Sequence, residues 1–449
     1  MPPSNLSVPD NLVLTSNAIE LLALKGTSTP AIAAVYAPST APVDGDLANN
    51  TIVPSIDETN DALDVRVKYS DGTLQTGIVP FVRSTLTVAA SGADFTTIQA
   101  AWDYLKGRYL SSLVTIDVAA GTYNETVRLG DQPYAGLIKI QGDTRTAAGS
   151  HVATTGNITK SGSNCTITLV STPPSDFTSS DFVVIGGAAT PANVGRFLIV
   201  SIDTVNKTVT YTNASGVAEA VRSNTQVIFC PNRIIDFTSS GNLAFDAVRG
   251  GGTTVTGFTL LSTTTVTFVM GIRVQSATLS VSHCTAFGLH DGGFAAIRGG
   301  VLATDVNCAA IKVTTGFQAT ETGAVICDGT YSADSTNGYA QVMGGGFVRA
   351  NSAVATNCAI GFLTQAGGTI SATSATASHN TDSGFKAQEG SAIYANGATA
   401  RNNATGYAAT LFGMITATST SANNSGNGTN YNPPTSGTEG NSSGLIFWT

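Results

Sequence analysis

The run GFLTQAGGTISATSATASHNTDSGFKAQ, from Gly361 to Gln388, decides the fold. It opens and nearly closes on the same pair, Gly361-Phe362 and Gly384-Phe385, and the residues between alternate small and polar with a period near two. Moving outward, Gly followed by Ile, Phe or Tyr recurs at Gly271-Ile272, Gly293-Phe294, Gly316-Phe317, Gly338-Tyr339 and Gly406-Tyr407, so that successive spacings along all seven pairs are 22, 23, 22, 23, 23 and 22. Seven residues after the leading Gly come Gly300, Gly323, Gly345, Gly368, Ser391 and Gly413, and nine after it come Leu302, Val325, Phe347, Ile370, Ile393 and Ile415. Three columns held in step define a repeat.

The repeat is not helical, because its units are built from Gly, Thr, Ser and Asn, all poor helix formers. The Leu-x-x-Leu-x-Leu spacing of a leucine-rich repeat is absent. What remains is an all-β parallel solenoid in which each unit of 22–23 residues is one coil. Coils then stack at the inter-strand distance, so equivalent side chains form ladders. The Phe/Tyr column is expected inside, with Gly at corners where the chain turns tightly. Asn402-Asn403 and Asn423-Asn424 suit the turns at coil ends.

Upstream, ADFTTIQAAWDYLKGRY puts Ile98, Ala101, Trp102 and Leu105 on one helical stripe, with Thr96 or Thr97 as N-cap. Such a helix would cover the open apolar end of a solenoid. SSLVTIDVAAGTYNETVRL follows as two strands about Gly121, and then GLIKIQGD. Asp94-Phe95-Thr96-Thr97-Ile98-Gln99-Ala100-Ala101, VTIDVAAGTYNETV and IKIQGD together resemble the opening of the pectin-lyase-like superfamily of right-handed parallel β-helices. The similarity is greatest to phage tailspike and tail-fibre proteins and to pectin methylesterases. It covers about fifty residues, and that stretch is structural in the superfamily.

Five regions follow. Residues 1–84 fit no coil pattern. NAIELLALKG reads as a short helix capped by Asn17 and Glu20 and ended by Gly26, and ALDVRVKYSDGTLQTGIVPFV as a hairpin turning at Asp71-Gly72. Residues 85–143 hold the capping helix and the first coils. Residues 144–225 read as an inserted small β-barrel or sandwich, with a hairpin around Asn206-Lys207. Residues 226–430 form the main β-helix, and residues 431–449 an apolar tail, ending in GLIFWT, that must be buried against the last coil or against sister chains.

Composition narrows function. The chain has 449 residues, 21 basic and 29 acidic side chains and a net charge of −8, which argues against nucleic-acid capture by counter-ion release. Six scattered cysteines (Cys165, Cys230, Cys284, Cys308, Cys327, Cys358) read as free, buried and apolar. Neither a signal peptide nor a membrane-spanning run is read, and no metal or cofactor is expected. The catalytic motifs of pectin methylesterases are missing, and the acidic cluster that pectate-lyase calcium chemistry needs is absent.

One constellation is left. Twelve residues after the leading Gly stand His283, Asp305 and Asp328 on successive coils, and two carboxylates one inter-strand step apart would suit acid/base work on a glycosidic bond. Five residues after it, Arg298 and Glu321 should pair. With Tyr331, whose ring could stack on a sugar, they form the candidate binding set; Tyr394 and His290-Asp291 are weaker candidates. The resemblance implies a homotrimer in a phage tail that meets host surface polysaccharide. Residues 1–84 would attach it to tail, portal or adaptor proteins. A non-cleaving adhesin is preferred to a depolymerase, and a cellular esterase or lyase is disfavoured.

Overall fold

A computed structural model of the protein describes residues 84–447 apart from 107, 109, 111, 131, 133–134, 223, 238–242, 263–268, 418–423 and 433–443, together with five strands in the first 80 residues. Those strands belong to one compact unit. In it Leu14–Thr15 pairs antiparallel with Ala18–Ile19, so the helix expected to begin near Asn17 is replaced by a strand at Ala18; the rest of that segment lies outside the described residues. Thr51–Asp57, Ala62–Lys68 and Leu74–Pro80 form an antiparallel sheet whose last two strands are the expected hairpin.

The second unit is built on a three-faced parallel β-solenoid. A first face runs through Gly292–Ile297, Thr315–Ala319, Asn337–Gln341, Ile360–Thr364, Ser383–Ala387 and Thr405–Ala409. A second runs through Val301–Thr304, Ala324–Ile326, Phe347–Arg349, Thr369–Ser371, Ala392–Tyr394 and Met414–Thr416. The third is a ten-stranded sheet from Gly121–Tyr123 to Asn424–Ser425. All neighbours within a face are parallel, because each coil returns in the direction of the one before.

The core is a set of columns. Phe294, Phe317, Tyr339, Phe362, Phe385 and Tyr407 form a file with centroids 4.7–5.1 Å apart and planes within 10°, which Tyr431 extends at 5.6 Å. The spacing is set by the inter-strand distance, which places the rings in stacking range. Two tyrosine hydroxyls of the file find backbone partners: Tyr339 donates to the Thr330 carbonyl at 2.8 Å and Tyr407 to that of Ala398 at 3.2 Å. Opposite the rings, Ala286, Ala310, Ser332, Ala355, Ala377 and Ala400 line the third face, small because the aromatic file fills the middle.

Two sequence expectations need correction. The leading glycines of the repeat do not stand at corners: Gly293, Gly316, Gly338 and Gly361 are each the second residue of a first-face strand. A Cβ on any of them would stand 2.4–2.7 Å from the carbonyl oxygen of the next coil's glycine, so the close stacking of the coils excludes a side chain there. In addition, Phe347 does not belong to the inward column. Val348 pairs between Val325 and Ile370 and is buried, while Phe347 is 38% exposed. The extra glycine in Gly344-Gly345-Gly346 lengthens that turn by one and moves Phe347 to the outer side of its strand, since one residue of slip reverses the face.

The capping helix spans Ile98–Leu105, with Thr97 as N-cap and Ile98, Ala101, Trp102 and Leu105 buried. The Glu125 carboxylate accepts from the Ile98 and Gln99 N–H groups at 2.9 Å, satisfying donors that a helix start leaves open. Burial raises the pKa of Glu125 against these bonds. At the other end Leu445–Phe447 pairs with Met414–Thr416; Ile446 points inward, and Leu445 and Phe447 are 42% and 47% exposed. All six cysteines are buried and free.

Between Asp143 and Arg233 the chain leaves the coils as a seven-stranded antiparallel sheet, which an antiparallel bridge from Thr154 to Leu169 closes into a barrel. Its last strand runs to Cys230, and Asp203 pairs with Thr208 across the Asn206-Lys207 hairpin. The barrel lies on the third face. Val183, Val184, Ile185 and Phe229 share one core with Ala309, Ile311, Tyr331 and Ala333 of the coils. Gly149, Gly186 and Gly187 make close approaches: a Cβ on Gly149 would stand 2.3 Å from the Asn307 carbonyl oxygen, and on Gly186 or Gly187 it would meet the side chain of Ile311 or Thr356 at 2.8 Å. At the junction Arg145 bridges Asp143 and Asp181, each at 2.8 Å, and Arg233 adds a second bond to Asp143.

Candidate functional site

The corner singled out by register brings His283 and Asp305 together. His283 Nδ1 lies 3.1 Å from Asp305 Oδ2, and the His283 backbone N–H donates to Oδ1 at 3.1 Å. Oδ1 also accepts from the Asn307 N–H, and Asn307 Nδ2 lies 3.2 Å from His283 Nε2. Asp328 engages the coil on its other side: Arg349 Nε donates to Oδ2 at 2.8 Å and the Asn351 N–H to Oδ1 at 2.9 Å. The two carboxylates are thus drawn toward opposite neighbours, each closing a turn by accepting backbone N–H. Above this corner sits the start of the barrel, where His151 Nε2 contacts the Val306 carbonyl at 2.8 Å.

Arg298 and Glu321 form the expected ion pair, 2.7 Å apart, at solvent-facing turns where both have φ near +47°. The pair is 60% and 45% exposed, and solvent leaves such contacts worth little. Tyr331 must be corrected as a sugar platform. Its ring is fully buried beneath the barrel, its hydroxyl donates to the Asn224 carbonyl at 2.9 Å, and His151 stacks on it at 5.6 Å. Tyr394 is 41% exposed on the second face.

A different column carries a cleft. After each third-face strand from Thr285–Phe287 onward the chain turns at Gly288, Lys312, Asp334, Asn357, His379, Asn402 and Gly426, every one left-handed with φ between +55° and +70°. The next residue points into the coil: Leu289, Val313, Ser335, Cys358, Asn380 and Asn403 are buried. The asparagines build a ladder in which Asn403 Oδ1 accepts from the Asn380 N–H at 3.0 Å and from its Nδ2 at 2.8 Å. The turn residues themselves face outward, several of them against the barrel. Lys312 Nζ donates to the Val194 carbonyl at 2.8 Å, and the Gly187 N–H donates to Asp334 Oδ2 at 2.8 Å. Asn357 Nδ2 donates to Asp334 Oδ1, and Arg222 to Asn357 Oδ1.

Beside these contacts lies a cleft of about 440 Å³, lined by His290, Lys312, Thr314, Asp334 and Thr336 over a floor that includes Leu289 and Val313. Burial raises the Asp334 carboxyl to about 6 against its bonds to Gly187 and Asn357 and the nearby Lys312 and Arg222 charges. Burial also raises Asp291, which occupies the same turn position as Thr314 and Thr336 one and two coils along. Sequence reading named His290-Asp291 but missed Lys312 and Asp334. Their signal was a polar residue four positions ahead of Gly316 and Gly338. Among the described residues no group of three His, Cys, Asp or Glu side chains is placed to hold a metal ion.

No protein-family model matches the chain, and no curated protein matches it. Among solved structures, the complex of XylC with xylose aligns over 73% of this chain and 70% of its own length, with 10% identity and a TM-score of 0.32. The Gp54 tailspike of Acinetobacter baumannii bacteriophage AP22, in complex with A. baumannii capsular saccharide, aligns over 78% of this chain and 65% of its own, with 12% identity and a TM-score of 0.18.

Proposed function

We propose that this chain is a bacteriophage tailspike or tail-fibre protein that holds host surface polysaccharide without cleaving it. The observation that carries the reading is the row of polar turns stacked along one flank of a stiff rod, from Lys312 to Asn402. A polymer of repeating sugar units is met by a repeating array of amide, carboxylate and ammonium groups on a backbone that does not rearrange. Binding without cleavage is favoured because the carboxylates best placed for acid/base work are spent on the fold. Both oxygens of Asp305, Asp328 and Asp334 accept bonds from the protein. The resemblance in the first coils adds a homotrimer on a phage tail, with residues 1–84 as the attachment region.

Incubating the purified protein with host surface polysaccharide tests this directly. Retention of the polymer with no change in its size is the expected outcome, and release of oligosaccharide overturns the non-cleaving reading. If release persists in Asp305→Asn and Asp328→Asn, the chemistry lies away from the His283 corner; if it is lost, the depolymerase alternative holds with those residues.

A further inference from the structure

We infer that the cleft lined by the turns at Gly288–His290, Lys312–Thr314, Asp334–Thr336 and Ala359, whose Lys312 and Asp334 are bonded to the barrel, is a binding site for an uncharged stretch of saccharide. The inference rests on the polysaccharide-binding reading and assigns it a place and a ligand class.

Geometry comes first. Four successive coils contribute, so the cleft extends about 14 Å along the rod at ~4.8 Å per coil. Its volume is about 440 Å³, and it is a shallow, open depression whose exposed lining is more polar than apolar, suited to the hydroxyl edges of a sugar chain lying along the surface. The walls are fixed before a ligand arrives. Lys312 is held by the Val194 carbonyl, and Asp334 by Gly187 and Asn357. Preorganised polar groups lose little order on binding.

The donor and acceptor inventory then selects the ligand. A lysine ammonium has three N–H donors, and the bond to Val194 uses one, leaving two. Thr314 spends its hydroxyl proton on the His290 carbonyl and keeps its lone pairs, while Thr336 and the His290 ring lie exposed on the rim. Hydroxyls that both give and accept hydrogen bonds match this mixture. Charge does not draw acidic sugars in: the Lys312 ammonium and the Arg222 guanidinium near Asp334 are offset by Asp334 in the wall and Asp291 beside it. With no net positive charge to reward a ligand carboxylate for its desolvation, the uncharged ring is favoured.

The test uses the full-length protein on an array of bacterial surface polysaccharides, each printed in native and carboxyl-reduced form. Binding to neutral or carboxyl-reduced polymers is expected, weakened about tenfold by His290→Ala and by Lys312→Met, and restored by Lys312→Arg, as loss of one charge-assisted bond predicts. Lys207→Met, at the hairpin tip of the barrel, should bind as the unmodified protein does. Wild-type binding that survives both His290→Ala and Lys312→Met overturns the cleft while leaving polysaccharide binding intact. Binding confined to native acidic polymers overturns the ligand class. Absence of binding to every polymer defeats the functional reading itself. Should Lys312→Met unfold the protein, His290→Ala decides alone, since that side chain is exposed and its loss leaves the core untouched.

Discussion

The coils and the barrel are both all-β and share one hydrophobic core, yet they are held together by different arithmetic. In the coils a residue's main neighbour is its own counterpart one turn away: Phe362 lies between Tyr339 and Phe385, and Gly338 against Gly361. In the barrel neighbours are unlike. Phe197 packs on Tyr211, Phe177 on Phe229, and Arg196 covers the Phe182 ring at 3.6 Å. Repetition makes the solenoid tolerant of length and intolerant of any change inside a column. The barrel owes its place to the apolar face it shares with the coils and to a few long-range bonds at its base.

Phe362→Ala should break the contrast most severely. Removing one fully buried ring costs about 4 kcal/mol. Because both neighbours lose a partner, amide hydrogen exchange should accelerate in the rungs around Tyr339 and Phe385 and stay unchanged in the barrel. Uniform acceleration across both regions would mean that they unfold as one unit.

Arg145→Met acts on the barrel's base. Asp143 and Asp181 would keep buried carboxylates with fewer partners, a loss of about 3 kcal/mol. Proteolysis should then cut between residues 144 and 230 while the coils from Gly271 onward resist. Cutting within the coils first would contradict the separation.

The gentlest probe is pH, through Asp334 where the two regions meet. Its carboxyl titrates at about 6 in the folded chain against 3.8 ordinarily, so the folded state holds the proton more tightly. The stabilisation from that proton is complete below pH ~4 and is lost as pH rises through 6, amounting to about 2 kcal/mol once partial exposure is allowed for. The melting temperature should therefore fall between pH 4 and 6 by more in the wild type than in Asp334→Asn. Equal slopes would show that Asp334 does not sense the junction.

The same contrast explains what the sequence disclosed. Columns that repeat are visible in one dimension, so the aromatic file and the inward Ile370, Ile393 and Ile415 could be read directly. So could the helix stripe at Ile98, Ala101, Trp102 and Leu105, which needs only local periodicity. Turn length was not legible. One added glycine near Gly345 moved Phe347 outward, and His290 is an extra residue in its turn, which hid the alignment of Lys312 with Asp334. Burial of Tyr331 depends on Asn224, 107 residues away in the inserted barrel, and no local pattern encodes it.

The left-handed turns have one more consequence. Lysine, aspartate, asparagine and histidine occupy the same backbone shape at Lys312, Asp334, Asn357, His379 and Asn402. At Asn402, whose amide meets His379 of the neighbouring coil, the side chain can accordingly be respelled while the stack beneath keeps its spacing; Lys312, Asp334 and Asn357 are tied to the barrel. Such a surface has a vocabulary that can vary and a frame that does not.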